Sequence, residues 1–250
     1  VVRVSLKHQV RAIMVIAWLN GLLPILRSPL WSISMLTTPL SLFVLLTILF
    51  RSVGMLLGVV GGLVWTVLSS SIMIIGDAAY YRLQLRFQHM IVATPTSPLA
   101  YALGLALSEL VFSLPGLVIF SVLLIQVGHP RPFYIPAVVL SLFMLWYSMS
   151  GVAFYFSTIF KHVRYTWAVT GILNLVLGVL PPIYYPATYL GRFYWLAYLV
   201  PTSDSAMVLQ YSVGLVHYAS IQLLISYTSG LLWCLIGTVL TLRVARWRSP

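Results

Sequence analysis

Acidic residues are almost missing: across 250 residues there are three, Asp77, Glu109 and Asp204. Charged residues make up 7% of the chain, against roughly a quarter in soluble domains. Chemistry that needs paired carboxylates or a carboxylate-held metal has little to work with, because the three acids lie far apart in sequence. Cysteine is as scarce. Cys234 stands alone in an apolar run, so no intrachain disulfide forms, no Cys/His set has zinc spacing, and an inert packing role is expected. Lysine occurs only at Lys7 and Lys161, each followed by histidine. A phosphate-binding loop needs a glycine-rich turn closing on Lys and then Ser or Thr. The expectation is therefore no nucleotide site, no metal site and no catalytic residue in this chain. It opens "VVRVSLKHQV" without an apolar run leading to a small-residue cleavage site, so no signal peptide is expected.

What is present is apolar sequence. Hydrophobic residues make up 61% of the chain and the mean hydropathy is +1.02, the composition of an integral membrane protein. About 20 apolar residues cross a bilayer as a helix, and that ruler gives six crossings: Leu30–Phe50, Val53–Ile75, Leu99–Val127, Ile135–Phe160, Tyr165–Pro182 and Ser220–Leu242. Ahead of them Arg3, Lys7 and Arg11 recur every fourth residue, which predicts an interfacial helix within residues 1–27; a frayed basic tail is the alternative. Six crossings put Arg3, Lys7, Arg11, Arg27, Arg82, Arg86, Lys161, Arg164, Arg243, Arg246 and Arg248 on the side of the termini, and Arg51, Arg131 and Arg192 opposite. The positive-inside bias then makes both termini cytoplasmic. The net charge of +11 reads as orientation in the cell membrane rather than affinity for nucleic acid. Residues 183–218, rich in Tyr, Trp and Pro, suit short outer helices that re-enter the interface, with Asp204 capping one of them. Gly54, Gly58 and Gly62 fall on one face of the second crossing, for close packing within the subunit or at a dimer seam.

Between crossings two and three lies "RLQLRFQHMIVATPTSPLAYALG", Arg82 to Gly104. Arg82 to Gln88 alternate polar and apolar as a strand would, but a lone strand here has no partner. A helix over residues 82–95 puts Arg82, Arg86 and His89 on one stripe and Leu83, Phe87, Met90 and Ile91 on an apolar face. Pro95 and Pro98 end it, with Pro98 suited to the first turn of crossing three. "ATPTSPLAYALG" resembles the signature that follows the coupling helix in the type-2 family of ATP-binding-cassette export permeases. "LRSPLW" at Leu26–Trp31 is similar to that family's junction into span one. "LPPIYYPATYL" followed by "LAYLVPTSDSAMVLQ" resembles its outer re-entrant region, and the short basic C-terminus fits as well.

The resemblance covers nearly the whole chain and implies an all-α permease domain over residues 1–250. It implies dimers of six-span subunits, homo- or heteromeric, bound to two cytoplasmic ATPase subunits that carry the ATP and Mg. The segment 82–95 is similar to the element that rests in a groove of the ATPase, which implicates Arg82, Arg86, Phe87, His89, Met90, Thr94 and Pro95. Many members carry a Glu followed by Gly there; this chain has arginines instead. As exposed cations these arginines would add mainly screened attraction, or hold anionic lipid headgroups. Glu109 sits about 16 Å into crossing three with no basic residue at matching depth, either lining the substrate pathway or packing as a neutral, hydrogen-bonded group. The second function class, a secondary carrier or channel, would use Glu109 as its ion-coupling site.

Overall fold

The computed structural model describes residues 5–245, apart from the side chains of Trp31 and His89. Among these residues the chain is helical and has no strand. Arg3, Arg246 and Arg248 lie outside them. Helix α1 (Leu6–Arg27) carries a π turn at Trp18–Leu22 and gives way at Ser28 to α2 (Pro29–Ser34). The next helix, Thr37–Leu83, is two arms, α3 (residues 37–50) and α4 (residues 52–83), because Arg51 between them adopts φ 51° and ψ −127°. The chain doubles back there, so that Gly54 rests on Leu46, Gly58 on Phe43 and, farther along, Gly62 on Phe120. The glycine face of the second crossing is thus used for packing within the chain.

After α5 (Phe87–Val92) come α6 (Pro98–Phe112) and α7 (Leu114–Leu123), the latter prolonged by a π turn to Gly128. The two meet at a 58° bend. Pro115 is the second residue of α7; its missing N–H and its ring deny the preceding turn a regular hydrogen bond. Helices α8 (Ile135–Ile159) and α9 (Val163–Val179) follow, then 3-10 turns over Ala187–Leu199, α10 (Pro201–Ser212) and α11 (Ser220–Val239), which a π turn extends to Val244. Leu6–Arg27, Ser32–Leu83, Pro132–Ile159 and Ser220–Val244 are each long and apolar enough to cross a membrane, and large apolar side chains such as Ile48, Phe143, Leu224 and Leu231 stay exposed along their flanks. Soluble proteins rarely expose so much apolar surface.

Contacts fix the directions. Ser71 bonds the Trp146 carbonyl and Arg82 those of Ser157 and Thr158, so α8 runs parallel to α4. Ser69 meets Asn174 while Gly76 meets Trp167, so α9 runs antiparallel to α4. Tyr227 bonds Ala137 and Tyr147 pairs with Thr238, which makes α11 parallel to α8.

The N-terminal segment departs from expectation. Gln9 meets Pro95 and Ser97, Ile16 meets Gly104 and Gly21 meets Ser108, so α1 runs parallel alongside α6 instead of across the helix ends. Leu36 against Gly116 and Phe43 against Phe120 continue that register along α7. Small residues at Gly21 and Gly104 allow this approach, and it removes Arg27 from the end of the fold that holds Lys7 and Arg11. Residues 187–212 fold back along α11. Ser229 donates to the Tyr198 carbonyl and Trp233 to that of Leu199, about 14 and about 20 Å along α11 from its start at 1.5 Å per residue. From there α10 climbs back, buried on nearly every side.

Candidate functional site

The segment after α4 is built differently from a helix over 82–95. Helix α4 continues through Leu83, which places Arg82 inside it, 8% exposed. The Arg82 guanidinium donates to the carbonyls of Ser157 (2.8 Å), Thr158 (2.9 Å) and Phe160 (2.6 Å). These belong to the last turn of α8 and the residue after it, where carbonyls lack intrahelical partners and a cation is favoured. Arg82 therefore caps a neighbouring helix and is no part of an exposed basic stripe. Arg86 is exposed in the left-handed region, φ 54°, and turns the chain into α5, only six residues long.

Phe87 faces inward, its ring edge-on to Tyr81 at 6.0 Å. Met90 points away and is 61% exposed; Thr94 and Pro95 are exposed beside it. The expected apolar face is thus divided, with Phe87 and Ile91 inward and Met90 outward, because six residues give less than two turns to sort. The backbone position of His89 is in α5, and its side chain is outside the described residues. Beyond α5 the loop is tied down. Gln9 of α1 donates to the Pro95 carbonyl and accepts from the Ser97 amide, both at 2.9 Å. Ser97 caps α6 by accepting from Ala100, and Pro98 occupies the first turn as the sequence predicts. Between α1 and this loop lies a cavity of about 330 Å³ lined in part by His8, Arg11, Ile91 and Pro95.

Glu109 is 4% exposed, and it has a partner that sequence separation concealed. Its carboxyl group hydrogen-bonds that of Asp77 on α4. The antiparallel packing of α4 on α6 brings together two acids distant in sequence, so that Glu109, without a basic partner, has an acidic one. Two carboxyls can hydrogen-bond only with a proton between them, so the pair is a proton-sharing polar tie between helices that carries one negative charge instead of two. Glu109→Gln keeps a donor facing Asp77, and stability within about 1 kcal/mol of the parent is expected. Glu109→Ala leaves Asp77 facing an unfilled site and should cost about 2–3 kcal/mol. Thermal unfolding of the detergent-solubilised variants checks this; equal losses for Gln and Ala would show that the hydrogen bond is not what Glu109 contributes.

No group of three or more His, Cys, Asp or Glu able to hold a metal occurs among the described residues. No protein-family model matches the chain, and no curated protein is similar to it.

Proposed function

We propose that this chain is the transmembrane permease subunit of an ATP-driven exporter. It forms the cargo pathway with a second permease subunit, identical or different, and two cytoplasmic ATPase subunits. The six passes are residues 6–50, 52–83, 98–128, 135–159, 163–179 and 220–244. In this reading Lys7, Arg11, Arg82, Arg86, Lys161, Arg164 and Arg243 gather at the cytoplasmic end and Arg51, Arg131 and Arg192 at the outer end, the asymmetry of a cell-membrane protein with both termini inside.

The observation that carries the reading is α5. A short helix hangs between passes two and three at the basic end, held from within by Phe87 on Tyr81, and it turns Met90 and Arg86 outward. Apolar and arginine side chains offered together are the usual anchors of a protein interface. The sequence departs from the family pattern by lacking an acid there, so the matching surface on the ATPase is expected to be apolar with acidic rather than basic neighbours.

The test is binding of a purified ATP-binding-cassette ATPase subunit from the same organism to the detergent-solubilised permease. Met90→Asp should weaken it at least tenfold, about 1.4 kcal/mol, and Arg86→Ala should weaken it less, with the loss shrinking at high salt. Phe87→Ala acts indirectly, by releasing α5 from Tyr81. Binding by Met90→Asp equal to the parent would make the segment a lipid anchor instead. The alternative, an ion-coupled carrier using Glu109, predicts cargo movement in proteoliposomes that contain no ATPase.

A further inference from the structure

Asp204 is the acid to which no role has yet been given. It does not cap α10 as the sequence suggests: the helix begins at Pro201, Val200 is its N-cap, and Asp204 lies a turn inside. The residue is 4% exposed and neither carboxylate oxygen accepts a hydrogen bond. Its neighbours across the gap are Ser226 and Ser229 of α11, but their protons are engaged elsewhere. Ser226 donates to the Gln222 carbonyl at 3.2 Å and Ser229 to that of Tyr198 at 2.6 Å. Ser205, beside Asp204, likewise donates to the Ser141 carbonyl of α8 at 2.9 Å. With these hydroxyls donating to backbone carbonyls, their oxygens keep lone pairs free for a cation beside the carboxylate.

Asp204, Ser205 and Ser226 line a cavity of about 10 Å³, with Ser141 of α8 on its far wall, room for a single water-sized occupant. A buried carboxylate without donors is strongly unfavourable, and no lysine or arginine lines the space. A set of oxygen ligands suits a hard cation. One carboxylate balances a single positive charge, since Asp77 and Glu109 are committed to each other on α4 and α6. The space is too small for a large ion. We propose that Asp204, with the hydroxyls of Ser205 and Ser226, binds one sodium ion that clamps α10 to α11. The site lies about 9 Å along α11 from its start, since Ser226 is six residues after Ser220.

The experiment compares thermal unfolding of the purified, detergent-solubilised chain in sodium chloride and in choline chloride of equal concentration, together with binding of radioactive sodium. A saturable rise in Tm of about 3–6 °C in sodium is expected, with stoichiometric sodium uptake. Asp204→Asn should abolish both, and Ser226→Ala should raise the half-saturating sodium concentration about tenfold. Equal Tm in the two salts for the parent overturns the proposal and leaves Asp204 as a protonated, uncharged side chain. Persistence of the sodium effect in Asp204→Asn overturns it too. If Asp204→Asn does not fold, Ser226→Ala decides: an unchanged half-saturation rejects the site.

Discussion

Arg82→Ala is expected to destabilise the chain by about 3 kcal/mol or more, enough to remove most folded protein from the membrane. The guanidinium is shared by three carbonyls at the end of α8. A hydrogen bond to a charged group contributes about 1.5–3 kcal/mol, and a buried carbonyl left without a donor costs about 1–3 kcal/mol. Some recovery by water at this end of the fold keeps the sum below the arithmetic total. Arg82→Lys should fall between parent and alanine, because an ammonium has three donors but lacks the planar fork that reaches three acceptors at once. The measurement is the midpoint of thermal aggregation followed by size-exclusion chromatography, at low and high salt. The loss should be independent of salt, as fits a buried contact. A small, salt-screened effect, such as an exposed arginine would give, would show that Arg82 does not cap α8.

Gly54→Val should be at least as damaging. A Cβ at this position would overlap the Leu46 carbonyl oxygen, a backbone atom on the facing arm that a rotamer change cannot move. The hairpin of α3 and α4 must then open, and overpacking of this kind costs about 1–3 kcal/mol even where side chains alone have to shift. Here the cost should exceed about 4 kcal/mol, since the turn at Arg51 leaves no slack between the arms. Gly171 provides the contrast. It lies within α9 with nothing within 4 Å of an added Cβ, so Gly171→Ala should be neutral or stabilise by up to about 1 kcal/mol through helix propensity. If both substitutions lower the unfolding temperature equally, the tight arm-to-arm contact at Gly54 is not what holds the hairpin.

The long helices were legible because a bilayer-length apolar run, bounded by Pro, Gly and Arg, encodes its own hydrogen bonding: every backbone bond of a helix closes locally. The reversal near Arg51, between the first two expected crossings, and the proline start of α6 were visible for the same local reason. The basic asymmetry was likewise a property of composition. Side-chain partnerships were not local, and there the sequence misled. Arg82 and Arg86 read as one stripe because a helical wheel assumes an unbroken helix; a left-handed residue at 86 ends that assumption and sends the two arginines to different tasks. Asp77 and Glu109 looked isolated because their separation along the chain hides the register of α4 on α6. Asp204 looked like a cap because its residue type favours caps, but the burial of α10 among α8 and α11 determined its surroundings. Backbone hydrogen bonding and hydrophobic length act over a few residues, so the sequence alone determined which segments are helices and which are apolar. Which polar groups meet inside depends on how those helices pack, and only the tertiary structure decided that.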